Sequence, residues 1–373
     1  MKVNLLYIFI ILFITTGCKT NSGKDKTDLP VFDLEAAVGK HALDTFTLNG
    51  IAKKITYIPI STSPNELFGS AKLAYMGRDF YCFIDYKTTT IFRTDMNGEV
   101  INVISKKGKG PGEYIGLDYV SVNSNDSTIQ IFDRRGDKSV VYDLSGNLIQ
   151  DITLKDKGIS VPVLVLENSV IARGRDDSTY KLCITDKNLN IQQCLFPMDT
   201  TLNEMERLCL TWQLNFCENK DLTIVNLAEE DTVFCVTKKG IEPLCIFKKG
   251  IYRLPDEMAK KPMEFTEQGS PYFRSMKIAS IPGYYLISYL FEGHFYDEVW
   301  SKTNNQIVSR FVLGDDGVGF PFGLPSGKII RINTGLFIKD NIVALTIPAD
   351  VAAEEKLADV KADDNPVLVI MEL

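Results

Sequence analysis

The feature that most constrains this chain is a repeat. Phe83-Ile84-Asp85 leads through Thr90-Ile91-Phe92 to Asp95-Met96-Asn97-Gly98-Glu99-Val100. Forty-eight residues later, Ile131-Phe132-Asp133 leads through Val140-Val141-Tyr142 to Asp143-Leu144-Ser145-Gly146-Asn147-Leu148. A third copy keeps Leu182-Cys183-Ile184 and Asp186-Lys187-Asn188-Leu189-Asn190-Ile191, and a fourth runs from Asp231 to Val236, turns at Lys238-Lys239-Gly240 and resumes at Pro243. A fifth joins Asp297-Glu298-Val299-Trp300 to Ile307-Val308 across Lys302 to Asn305. Each copy is a set of short β-branched or aromatic strands around an Asp/Asn/Gly turn, and Gly and Asn tolerate the positive φ that tight hairpins require. Helical periodicity is nearly absent; Asp350 to Lys361 is the stretch that reads as helix.

A period near 45 residues built from strand pairs predicts the blades of a β-propeller, and from about residue 50 onward the sequence has room for six. The expected fold is therefore all-β, a single six-bladed β-propeller over residues 39–373. No Pro/Gly/Ser-rich linker divides the chain, which argues against two stacked β-sandwiches. Ile55–Ile60 and Val367–Met371 stand outside the repeat. Pairing these N- and C-terminal strands in one blade closes the ring and removes its open edges.

The N-terminus reads differently. Lys2 precedes ten apolar residues, Leu5 to Ile14, and then Thr15-Thr16-Gly17-Cys18. Ten residues rise about 15 Å as a helix, half of a ~30 Å hydrocarbon core. A basic start, a short apolar core and small residues before a cut predict a signal peptide over residues 1–17. Its end at Gly17-Cys18 resembles a bacterial lipoprotein signal. That implies a lipid on Cys18, the membrane as a partner, and a cell-envelope location, periplasm-facing or at the outer membrane. Residues 18–38 are expected to be a flexible tether, because KTNSGKDKTD over 19–28 is small, polar and charged.

Lys106-Lys107-Gly108-Lys109-Gly110-Pro111-Gly112-Glu113-Tyr114 resembles the G-x-G-P-G-E-Y signature of the six-bladed β-propeller lipoproteins of Bacteroidales. Phe247–Glu257 and Asp364–Ile370 agree with that family, and the early blades resemble NHL repeats. The resemblance covers roughly residues 40–373. It implies the propeller fold and the envelope, and it implies no activity. Segments 255–280 and 310–330 read as insertions between blades.

With 41 Lys+Arg against 48 Asp+Glu the net charge is −7, which offers no basic face to a nucleic acid. G-x-S-x-G, H-E-x-x-H and Walker A patterns are absent, no C-x-x-C spacing suits zinc, and His41 and His294 are the only histidines. No cofactor and no metal are expected. The Gly108–Tyr114 loop has N–H groups and lysines suited to an anion, but it leads into another strand and reads as a blade crossover pinned by Glu113 and Tyr114. Seven cysteines besides Cys18 are expected to be small buried hydrophobes on strands. The alternative is a cross-strand bridge, since Cys183 faces Cys194 if Asp186 faces Ile191.

Residues 272–300 are rich in aromatics, most of which a blade needs as core. Tyr272, Phe273, Arg274 and His294 are expected off the strands, together with Trp212 and the Arg134-Arg135 pair at strand ends. Aromatic, Arg and His side chains there suit a sugar ring or a protein partner. The expected function is a lipid-anchored binding or interaction module for a glycan, a small ligand or a protein. The alternative is a glycan- or peptide-processing hydrolase or lyase with its site in the propeller mouth, which requires two carboxyls about 5–10 Å apart.

Overall fold

Alternating apolar residues and Asp-Gly turns produce antiparallel sheets of four strands, stacked face to face around an axis. The computed structural model describes residues 29–38, 46–64, 66–123, 125–166, 168–175, 177–212, 215–219, 222–227, 230–237, 240–259, 271–312, 320–332 and 336–373. The chain enters through β1 (Val31–Asp33), α1 (Leu34–Ala37) and β2 (Lys54–Pro59). Blade 1 is β3 (Ala71–Met76), β4 (Tyr81–Asp85), β5 (Thr90–Thr94) and β6 (Val100–Ile104). Blade 2 is β7 (Tyr119–Asn123), β8 (Thr128–Asp133), β9 (Lys138–Asp143) and β10 (Leu148–Thr153). Blade 3 is β11 (Ile159–Leu166), β12 (Ser169–Gly174), β13 (Tyr180–Asp186) and β14 (Ile191–Pro197). The helix α2 (Glu204–Trp212) precedes blade 4, which is β15 (Asn215–Asn219), β16 (Leu222–Asn226), β17 (Thr232–Thr237) and β18 (Gly240–Lys248).

After α3 (Asp256–Ala259), blade 5 is β19 (Arg274–Ile281), β20 (Tyr284–Phe291), β21 (His294–Ser301) and β22 (Ile307–Val312). A two-stranded hairpin, β23 (Phe320–Gly323) and β24 (Ile329–Ile332), lies outside the blades, whereas the first residues of the stretch read as an insertion over 310–330 belong to β22 of blade 5. Blade 6 combines β25 (Phe337–Lys339), β26 (Ile342–Ile347) and β27 (Val367–Glu372) with β2, which pairs antiparallel with β27 from Lys54–Glu372 to Pro59–Val367. The short helix α4 (Ala349–Glu354) sits between β26 and β27.

The apolar core repeats the same cycle. One cluster joins Cys82, Ile84 and Ile91 of blade 1 to Ile129, Ile131 and Val140 of blade 2. Equivalent clusters join blades 2 and 3, 3 and 4, 4 and 5 and 5 and 6. A sixth joins Ala344 and Leu368 of blade 6 to Ala71, Leu73 and Phe83 of blade 1. The protein is a six-bladed β-propeller. Both faces of each sheet are covered, which is why all five residues of β4 are buried. The first strands surround the axis: β3, β7, β11, β15 and β19 each lie against the next, and β25 touches β3 and β15.

Three expectations need correction. The tether does not extend to residue 38, because β1 adds a parallel fifth strand beside β18 and Phe32 is fully buried there. Phe32 stacks on Phe247 and meets Tyr285 and Trp300 edge-on, at centroid distances of 5.1, 5.2 and 5.7 Å. The stretch read as an insertion over 255–280 contains the inner strand of blade 5. The helix expected over 350–361 ends at Glu354, while the nine-residue α2 carries no signal that the strand pattern exposes.

Candidate functional site

Two sets of connections share one face of the ring: the turns between second and third strands, and the loops carrying each outer strand to the next inner strand. Buried aspartates lock these together. The Asp85 carboxylate accepts from the N–H groups of Ser70, Lys87 and Thr88 at 3.2, 2.9 and 3.2 Å, and also from Gly69. In blade 2 Asp133 accepts from Ile115 N–H at 2.6 Å and Gly136 N–H at 2.9 Å. This face is therefore rigid at its base, the property that suits propeller loops to recognition. On the opposite face Asp95, Asp143 and Asp186 cap their own hairpins. The N–H groups two and four residues on donate to each carboxylate at 2.8 or 2.9 Å. Gly98 completes the first of these turns with φ +92°, and a Cβ there would meet the Pro59 carbonyl oxygen.

The Gly108–Tyr114 loop is spent on structure. Glu113 Oε2 accepts from Gly110 N–H at 2.8 Å, Asp151 Oδ2 accepts from Gly112 N–H at 2.8 Å, and Lys138 Nζ donates to Gly110 O at 2.8 Å. Tyr114 is fully buried, with its hydroxyl 3.0 Å from Ile104 O, and burial pushes that phenol up to about 12. The loop is the crossover between blades 1 and 2.

The residues expected to bind ligand scatter over the first face. Arg134 and Arg135 are exposed in the β8–β9 turn, with the Arg134 N–H on Asp118 Oδ2 at 2.8 Å and its guanidinium 4.0 Å from Asp118 Oδ1. His294 is exposed at the start of β21, and Arg274 is half-buried at the start of β19. Tyr272 is half-buried against the cluster of Met198, Leu210, Leu254 and Ala259. Phe273 is a correction: it is 1 % exposed, stacked on Phe291 and edge-on to Tyr289, both at 4.9 Å. It is core, because the chain dips between blades 4 and 5 before β19 begins. Trp212 ends α2 and its side chain lies outside the described residues, as do Cys18 and His41.

Between blades 4 and 5 lies a buried charge network. Glu298 accepts from Tyr289 Oη at 2.6 Å, Trp300 Nε1 at 2.7 Å, and Arg310 Nε and Nη2 at 2.7 and 2.5 Å. Burial and the adjacent Glu298 charge raise the Tyr289 phenol well above its usual range. All of these groups satisfy one another within blade 5, so the network is architecture rather than an open site.

Cys183 does face Cys194 across β13 and β14, although a bulge sets Thr185, not Asp186, opposite Ile191. Both are free thiols, and Cys194 is exposed, against the expectation that the cysteines are buried. Burial, then the neighbouring Cys194, pushes the Cys183 thiol up to about 12.

Cations that the sequence reading passed over sit closer to the axis. Lys72 on β3 and Lys277 on β19 belong to the inner strands of blades 1 and 5. Burial, and after it the Lys277 charge, lower the Lys72 ammonium below its usual range. Lys72 Nζ lies 5.6 Å from the ring centroid of Tyr86, which is 48 % exposed in the β4–β5 turn. Arg173, half-buried near the end of β12, is lowered to about 10 by burial and then by the charge of Arg134. Inside AKLAYM, RSMKIASI and SVIARG these residues read as ordinary solvent-facing positions. Only the closing of the ring brings them to the mouth. Among the described residues no group of three or more His, Cys, Asp or Glu is placed to hold a metal.

Comparison with known proteins gives a family and a fold. A family model described as a domain of unknown function, DUF4934, matches residues 29–372. No curated protein matches the sequence. A solved Bacteroides fragilis protein, whose name calls it exported, is similar at 15 % identity and TM-score 0.65, covering 91 % of this chain and 98 % of its own. A DUF4221 family member from Bacteroides vulgatus is similar at 10 % identity and TM-score 0.47, covering 86 % of this chain and 96 % of its own. An inactive virginiamycin B lyase from Staphylococcus aureus aligns at 8 % identity and TM-score 0.44, over 86 % of this chain and all of that one (100 %).

Proposed function

Because the chain belongs to the DUF4934 family and folds as a six-bladed propeller, we propose that it is a binding or interaction module held in the cell envelope by a lipid on Cys18. A glycan, small ligand or protein loop is held by the face that carries Arg134, Arg135, Arg274 and His294. The observation that carries this reading is the pinning of that face. The second-to-third turns and the incoming loops are fixed to one another by Asp85 and Asp133, so the side chains above them are displayed on a rigid base. Pairing of β2 with β27 supports a ring closed by both ends of the chain. The apolar run before Cys18 and the name of the Bacteroides fragilis neighbour support export.

The test is an array of glycans and peptides probed with the full chain in detergent solution. Saturable binding that weakens when Arg134 and Arg135 are both changed to Glu is the expected result. Absence of any saturable ligand, or binding indifferent to that double change, contradicts the reading.

A further inference from the structure

Blade 3 places two thiols at one register position. β13 and β14 are its two outer strands, and Cys183 and Cys194 are Cα partners across them, between the pairs Leu182–Leu195 and Ile184–Gln193. Directly opposed residues of an antiparallel pair have Cα atoms about 4.5–5.5 Å apart and side chains on the same face of the sheet. A disulfide spans roughly 4.4–6.8 Å between Cα atoms, so the backbone already has the separation that a bridge requires. Among the described residues no other two cysteines are opposed. Cys82 faces Tyr75 and Arg93, Cys235 faces Ile224 and Glu242, and Cys245 faces Val233. The two thiols also differ in access, since Cys183 is buried and Cys194 is exposed on the edge strand. A dissolved disulfide reaches Cys194 first, with Cys183 opposite it as the resolving thiol.

We propose that Cys183 and Cys194 are a paired redox site, which a small-molecule or protein disulfide converts into a cross-strand bridge. The Cys194 thiolate attacks the oxidant, forms a mixed disulfide and releases one thiol. The Cys183 thiol loses its proton to solvent and attacks Cys194 Sγ, and the second oxidant sulfur leaves and takes up a proton. Two protein thiols are thereby oxidised, and one disulfide is reduced to two thiols. The bridge fastens β14, mostly exposed and at the edge of its sheet, to β13. The inference goes beyond the binding-module reading and stands on the strand register alone; an exported chain would meet such oxidants.

The test is incubation of the reduced full chain in detergent with oxidised glutathione, followed by iodoacetamide in denaturant, trypsin and mass spectrometry. Cleavage after Lys181, Lys187 and Arg207 puts the two cysteines on separate peptides, 182–187 and 188–207. The linked pair is expected as the main form, with alkylated Cys183 falling by about tenfold or more while alkylated Cys82 is unchanged. Dithiothreitol should return both peptides to the alkylated form. Peptides recovered separately, whether alkylated or carrying glutathione, overturn the proposal, as does an equal loss of alkylation at Cys82. In Cys194→Ser, Cys183 should stay alkylated, and a Cys183 that bridges a different cysteine in the folded variant also overturns it. The wild-type measurement stands whether or not the variant folds. Failure of the bridge leaves the binding-module reading intact.

Discussion

Glu298 shows how much one side chain holds together inside a single blade. It is fully buried, and its carboxylate answers Tyr289, Trp300 and the Arg310 guanidinium at once. Removing one partner of such a pair strands the other charge away from water. Glu298→Ala is expected to cost about 3–5 kcal/mol. Replacing both groups with apolar ones, as in E298L/R310M, should recover most of that loss. Urea midpoints at constant m-value check this; a single and a double variant of equal stability would refute it. The hairpin aspartates act through pH. Bonds from Asn147, from its side chain and then its N–H, hold the Asp143 carboxyl below its ordinary 3.8. A folded value below the unfolded one means the contribution is complete above about pH 4 and is lost as pH falls through the folded value. The stability gap between wild type and Asp143→Asn should therefore close as pH drops from 5 to 2. A gap independent of pH would show that the turn does not use the charge.

At the scale of elements, the most consequential strand is the one that was expected to be tether. β1 covers the outer edge of blade 4, with Phe32 against Phe247, Tyr285 and Trp300. Phe32→Ala is expected to destabilise the protein by about 3–5 kcal/mol, as large cavities in packed cores do. A change near zero in thermal or urea unfolding would return residues 29–38 to a tether. The contrast between β1 and the repeats explains what was readable in advance. Asp95-Met96-Asn97-Gly98 and Asp143-Leu144-Ser145-Gly146 carry their turn chemistry locally, so strands on either side could be placed from sequence alone. Three residues of VFD have no local signature, because their partner Ile246–Lys248 lies more than two hundred positions away. The same holds for the site. His294 and Arg134 could be placed near strand ends, whereas Lys72, Lys277 and Arg173 acquire meaning only when distant blades meet. Phe273 was misplaced because an aromatic beside Arg274 reads alike at a rim and in a core.

For the whole molecule, the chain is acidic overall, at −7, yet Lys72, Lys277, Arg134, Arg135 and Arg173 lie toward one face. Such a separation lets an acidic ring present a local cationic mouth to an anionic or mixed ligand. Anchoring is a separate property of the whole chain and has its own test. Cys18→Ser should move the protein from the membrane fraction to the soluble fraction, and unchanged fractionation would refute the lipid anchor. The central claim is that this propeller recognises its ligand with one face. Hydrogen exchange of the full chain with and without a saturating array ligand tests it most directly. Protection confined to the loops at 86–89, 134–137 and 292–293 is the predicted result. Protection of the opposite hairpins at 95–99, 144–147 and 187–190, or of the outer strands, would contradict it.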